Sequence, residues 1–107
     1  MKPGDAVVGM LVGSVETKLR PAVVISSQTY LSERPDVLVA ILTTRQPLRM
    51  ASTYYMLKDR QSAGLRAELC FRMFVLTIHR SELTVIGHLS EPDWSETPAC
   101  VRRAFPA

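Results

Sequence analysis

The side chains that could do chemistry in this 107-residue sequence stand where apolar runs begin and end. Arg20 directly precedes Pro21, and Pro21 opens the run Ala22-Val23-Val24-Ile25. Proline pushes the residue before it out of the α region toward an extended conformation. It is also tolerated as the first residue of a strand, where no ladder hydrogen bond is asked of its nitrogen. Arg20 is therefore expected at the mouth of a buried strand, its guanidinium directed along one edge of a sheet. Thr43 and Thr44 close a second apolar run, and Arg72 lies in a third. Arginine can stabilise the charge of a pentacoordinate phosphate, and a hydroxyl can position that phosphate. Such a set suits cleavage of a phosphodiester whose nucleophile belongs to the substrate, as the RNA 2′-hydroxyl does, and requires no metal. Taken alone, Arg20 reads first as a solvated arginine flanking a strand, and the rest of the chain shifts that reading.

Other chemistries find little support. The sequence holds no nucleophile elbow, no glycine-rich phosphate loop and no clustered metal ligands. His79 and His88 fall in different expected elements and suit surface or hydrogen-bonded structural roles. Cys70 and Cys100 are too few and too far apart for a metal site, and Cys70 lies in an apolar run as a core residue would. Neither a metal nor a cofactor is expected. The formal net charge is +3, and ten of the thirteen basic residues are arginine, a bias toward planar, bidentate recognition of phosphate or carboxylate. Apolar residues make up 47% and charged residues 21%, as in a folded globular chain. No apolar run approaches the ~20 residues that span a bilayer, and no secretory leader is evident. A cytoplasmic protein with no membrane partner is expected.

The elements that must position these residues follow from turn signals and patterning. Lys2-Pro3-Gly4-Asp5 is a turn signature, followed by a short strand over 6–12, a polar loop over 13–18 and the arginine-proline strand over 21–26. Residues 27–32 can form one helical turn. The continuous apolar run 37–42 predicts a strand buried on both faces. A surface loop over 46–52, a short strand over 53–57 and a polar connection over 58–64 come next. The longest strand candidate covers 68–78, and 84–86 is a further short strand. Ser90, with an acidic residue three positions on, starts a terminal helix with Trp94, Val101 and Phe105 as its apolar stripe. Pro98 predicts a kink or break there, with Thr97 recapping a second short helix. Residues 1–107 are expected to form one domain: a mainly β fold, a small, strongly bent antiparallel sheet or partial barrel with a C-terminal helix.

The order of these pieces resembles the MazF/PemK family of toxins. The match rests on Gly4-Asp5, Arg20-Pro21-Ala22-Val23-Val24-Ile25-Ser26, Ala40-Ile41-Leu42-Thr43-Thr44, Thr77-Ile78-His79-Arg80-Ser81 and Ile86-Gly87-His88-Leu89-Ser90, and runs nearly end to end. The resemblance implies an SH3-like barrel of the CcdB/MazF kind, assembled as a homodimer, and the toxin role in a type II toxin–antitoxin system. It also implies a metal-independent, sequence-selective endoribonuclease that cuts single-stranded RNA to a 2′,3′-cyclic phosphate and a 5′-hydroxyl. Carried over by position, Arg20 is general acid and transition-state clamp. Thr43 contacts the scissile phosphate, and Thr44 is the small or hydroxyl residue after it. Three positions depart from the pattern. In Cys70-Phe71-Arg72-Met73-Phe74, Arg72 is one place out of register and Met73 stands where some members carry an acid. A β-bulge would bring Arg72 back to the site. His79 replaces an aspartate, and the loop over 13–18 is short.

Lys18, Arg45 and Arg49 are expected to line a positive channel shared by two subunits, with Thr44 and Arg72 as further RNA contacts. A cognate antitoxin would lay an acidic tail across that channel. Two other classes share the fold: a gyrase-inhibiting CcdB-like toxin, and a catalytically inactive antitoxin- or RNA-binding module. Arg20 with Thr43 argues against the first, which has no need of them, and Met73 at the acidic position speaks for the second.

Overall fold

The computed structural model describes residues 1–13, 16–44 and 47–106. Its six strands are β1 (Asp5–Val12), β2 (Thr17–Val24), β3 (Asp36–Thr43), β4 (Tyr55–Met56), β5 (Cys70–His79) and β6 (Thr84–His88). Two α-helices, α1 (Gln28–Glu33) and α2 (Glu91–Ala104), and a 3-10 turn at Arg80–Glu82 complete it. The strands form one sheet in the order β4-β5-β3-β2-β1-β6, every neighbouring pair antiparallel. The sheet curls into a half-barrel with the C-terminal helix packed on it, as the mainly β expectation required.

Hydrophobic side chains fill both faces. Along β3, Val37, Val39 and Ile41 enter one core with Val7, Leu11, Ala22 and Val24, and α1 covers it with Leu31. The alternate residues Ala40 and Leu42 enter the other with Ala6, Val23 and Phe71, against which Trp94, Cys100 and Val101 of α2 pack. This explains why 37–42 is a continuous apolar run: all but the half-buried Leu38 enter a core. The strand register breaks twice. One irregularity lies in the β1–β6 pairing, where Ala6 pairs with Gly87 but Val7 pairs with Val85, so β6 carries the extra residue, Ile86. The other is in β5, where Ala40 pairs with Val75 but Leu42 pairs with Phe71, so the stretch between carries extra residues. Met73 sits in that bulge with φ 57°, a left-handed conformation rare for a residue with a side chain.

A buried carboxylate ties α2 to the edge of the sheet. Asp93 is fully buried. It accepts from the Tyr55 hydroxyl at 2.5 Å, from Lys58 N–H at 3.1 and 3.2 Å, and from Asp59 N–H at 2.8 Å. Burial, reinforced by the Asp93 carboxylate, pushes the Tyr55 hydroxyl far above its usual range and keeps it a donor. Ser90 caps the helix by accepting from Asp93 N–H.

Several boundaries differ from those the sequence suggests. Helix α2 runs unbroken through Pro98. Proline at that place cannot donate to the Trp94 carbonyl, and the Thr97 hydroxyl donates to it instead, at 3.2 Å. Thr97 thus repairs the helix and recaps nothing. Phe105 is the C-cap, 62% exposed, and lies off the packed stripe. β2 begins at Thr17, so Arg20 stands inside a strand and not at its mouth. β4 shrinks to two residues.

Asp93→Ala leaves a hydroxyl and two backbone N–H groups unpaired in the interior. The variant is expected to lose about 3 kcal/mol of unfolding free energy, read from the urea midpoint. Ser95→Ala, on the exposed side of the same helix, stays within about 0.5 kcal/mol.

Candidate active site

Arg20 is half-buried on β2, opposite Gly9 of β1. Its guanidinium folds back along the β1–β2 hairpin. Nε–H donates to the Leu11 carbonyl at 3.2 Å and Nη2–H to the Glu16 carbonyl at 3.0 Å. The Glu16 carbonyl also accepts from Gly13 N–H at 2.9 Å, which closes the hairpin. A Cβ on Gly13 would lie 2.1 Å from Nη2 and 2.4 Å from Cζ of Arg20, so the missing side chain is the space the guanidinium fills. Two of its five donors are therefore used to aim it. No carboxylate pairs with it among the described residues, and its charge is left uncancelled.

The β2–β3 ladder runs from Val24↔Val39 to Ala22↔Ile41 and stops where Pro21 has no N–H to give. The same register, carried two residues further, sets Arg20 across from Thr43. Thr43 closes β3 and pairs with Cys70 of β5. Arg72 lies in the bulge that follows Phe71, at this end of the sheet. The Arg72 guanidinium lies over the Tyr54 ring, 5.0 Å from its centroid, a cation–π contact that holds the charge without neutralising it.

Lys18, Arg20, Thr43, Thr44 and Arg72 line one open groove of about 1510 Å³. That exceeds the roughly 300–1,000 Å³ of a small-molecule pocket and suits an extended chain. Lys18 reaches Glu16 at 4.0 Å, both largely exposed, so part of its charge is already compensated. Arg49 is exposed and is not among the residues that line the groove. Arg45 lies outside the described residues. Sequence reasoning passed over Arg66 and Glu16, both of which line the groove. Nothing in a lone arginine within a polar connection marks it out.

The remaining titratable groups serve the fold. The His79 ring accepts from Ser81 N–H at 3.1 Å and caps the 3-10 turn. His88 Nδ1 lies 2.9 Å from Asp5 Oδ1, above the Gly4 turn. Cys70 and Cys100 are buried and free, and burial pushes both thiols up. No group of three or more His, Cys, Asp or Glu side chains suited to a metal ion occurs among the described residues. No helix among them is long and apolar enough to cross a membrane.

Comparison with known proteins places this geometry. The family model described as PemK-like, MazF-like toxin of type II toxin-antitoxin system matches residues 2–105. No curated protein matches the chain in sequence. Among solved structures, an endoribonuclease in complex with its cognate antitoxin from a mycobacterial species superposes with a TM-score of 0.77 at 16% identity, covering 100% of this chain and 98% of that one. The Mycobacterium tuberculosis toxin MazF-mt6 gives 0.74 at 20% identity over 94% and 95%. A MazE-MazF structure from Deinococcus radiodurans gives 0.71 at 13% identity over 99% and 98%. At these identities the likeness is one of fold.

Gly13→Ala tests the seat of Arg20. The clash falls on the far end of a flexible side chain, so stability should change by less than about 1 kcal/mol. The guanidinium should leave the Leu11 and Glu16 carbonyls, which a crystal structure of the variant would display. An unmoved guanidinium would mean that the hairpin yields instead.

Proposed function

The chain belongs to the PemK-like, MazF-like toxins of type II toxin–antitoxin systems, and from that premise we infer that it is an endoribonuclease acting on single-stranded RNA. One observation carries this reading. A guanidinium held by backbone carbonyls, in no ion pair among the described residues, faces a groove that also receives two threonines from the end of a neighbouring strand.

The reaction is an internal transesterification. The 2′-oxygen bonds to phosphorus while the bond from phosphorus to the 5′-oxygen breaks, leaving a 2′,3′-cyclic phosphate and a 5′-hydroxyl. The 2′-hydroxyl proton passes to a base in the solvent. Arg20 donates a proton to the departing 5′-oxygen, recovers one from water, and clamps the extra charge on the phosphoryl oxygens. Thr43 donates its hydroxyl hydrogen to the scissile phosphate and fixes its place, with Thr44 beside it. Because the nucleophile and the charge stabiliser are substrate and guanidinium, the reaction proceeds without a metal and survives EDTA. Lys18 and Arg72 contact the RNA backbone on either side.

The same groove suits inhibition by a cognate antitoxin. An acidic, partly disordered tail can set carboxylates where phosphates would lie, and it orders as it binds. Assembly as a homodimer accords with the apolar surface of the β1–β2 hairpin. There Met10 and Leu19 stand opposite each other, 60% and 64% exposed. A two-fold interface would bury them.

Arg20→Ala is expected to fold as the parent does and to lose a factor of about 10²–10³ in cleavage of a long single-stranded RNA. Arg20→Lys should lose nearly as much, since a point charge cannot replace the fork. Cleavage by Arg20→Ala at the parental rate would refute the assignment. Sedimentation should give twice the 11.9 kDa of one chain, and a single-chain mass at micromolar concentration would remove the dimer.

A further inference from the structure

We propose that Arg66 is a second phosphate ligand of the groove, holding a phosphate other than the scissile one and so fixing how the RNA strand lies. The proposal rests on the reading of the groove as an RNA site. The connection between β4 and β5, residues 57–69, contains no helix or strand, yet backbone hydrogen bonds hold it from Leu57 to Leu65 and again at Leu69. Leu57 N–H donates to the Leu69 carbonyl at 3.0 Å and closes its base. Lys58 and Asp59 N–H sit on the buried Asp93 carboxylate. Ala63 and Leu65 N–H both donate to the Arg60 carbonyl, at 3.2 and 2.9 Å.

Its far end docks backbone to backbone on β6. Gly64 has φ +75°, and a Cβ there would come within 2.4 Å of the Ile86 carbonyl oxygen. A Cβ on Gly87 would come within 2.2 Å of the Ala63 carbonyl oxygen. Ala63 and Leu65 are buried. Arg66 comes directly after this docked stretch, exposed and lining the groove. Its side chain therefore starts from a fixed base.

The other cations of the groove already have company. Lys18 reaches Glu16, Arg72 lies on Tyr54, and Arg20 is seated on two carbonyls. Arg66 enters no ion pair among the described residues. A loop braced this thoroughly has no folding use for an uncompensated arginine over an open groove. A phosphate meeting it there displaces only water. Because it grips backbone and not a base edge, its contribution is independent of sequence.

The test uses the full chain. In an Arg20→Ala background, where cleavage is slowed enough to read binding before the RNA is cut, labelled single-stranded RNAs of unrelated sequence are titrated by anisotropy over a series of KCl concentrations. Adding Arg66→Ala should weaken every RNA about tenfold, as loss of one charged hydrogen bond does. It should also flatten the slope of log affinity against log salt by about 0.7, the value for one neutralised single-strand phosphate. Arg66→Lys should restore most of that slope. With Arg20 intact, Arg66→Ala should raise KM and leave kcat near the parental value. An unchanged salt slope, or a fall in kcat at constant KM, would overturn the role given to Arg66. Failure of the parental protein to bind or cut RNA would instead overturn the reading of the groove.

Discussion

A strand buried on both faces cannot carry an unpaired polar side chain along its length, and β3 is such a strand. Five of the six side chains from Val37 to Leu42 enter a core, and only Leu38 is partly open. Hydroxyls can appear only where the strand leaves the cores, which is at Thr43 and Thr44. The same limit acts on β2, where the buried stretch starts at Ala22 and Arg20 stands just outside it. Antiparallel pairing then brings the two exits together. The location of the groove is thus a consequence of where the double-sided core ends. Pro21 sharpens the boundary, since a ladder that cannot continue past Ala22↔Ile41 must open into a cleft.

Guanidinium groups need acceptors, and this chain supplies backbone carbonyls more often than acids. Arg80 donates to the carbonyls of Leu31, Arg34 and Pro35, stitching the end of α1 to the turn after β5. Arg103 holds the Ser52 carbonyl at 3.0 Å. Arg34 is an exception, sharing Asp36 with the Tyr30 hydroxyl. The arginine bias therefore marks structural stitching as much as ligand binding. A carbonyl satisfies the donor geometry without removing the net charge, so Arg20 can be both anchored and cationic. An aspartate in place of the Leu11 or Glu16 carbonyl would anchor it equally well and cancel the charge a phosphate needs.

What could be read from the sequence was local. The double-sided run of β3, the Ser90 cap and the arginine-proline junction each declare themselves within a few residues. What could not be read depends on partners far along the chain. Asp93 is recognisable as the acid of a helix start, but its pairing with Tyr55 and the backbone at 58–59 spans more than thirty residues. Arg66 matters because Gly64 and Gly87 allow two backbones to meet, a contact no spacing rule announces. Pro98 was misjudged through a neighbour: its lost donor is replaced by the Thr97 hydroxyl, which counting helix propensities does not register. The place of Arg49 depends on where its loop runs, which charge in a loop does not announce. The bulge at Met73 was readable only as a condition, because a residue with a side chain gives no sign that it will adopt a positive φ.

The two walls of the groove are built on different principles. One is the β1–β2 hairpin, whose turn carbonyls at Leu11 and Glu16 seat Arg20 and whose outward face is apolar and exposed. The other is the 57–69 connection, held to α2 through Asp93 and to β6 through glycines. Arg20 is therefore aimed by the hairpin, and its direction is a property of that turn and not of the core beneath. The planar fork makes this workable. Nε and Nη2 lie along one edge of the guanidinium and engage the hairpin together, which leaves Nη1 directed away from the carbonyls. A lysine ammonium has donors to spare but carries them all on one nitrogen, with no second planar edge to present to the groove. The opposite wall has no such dependence, because the stretch before Arg66 is held by close backbone contacts to β6 and by hydrogen bonds to Asp93. The groove thus has one cation aimed by the hairpin and another that follows a stretch docked on β6.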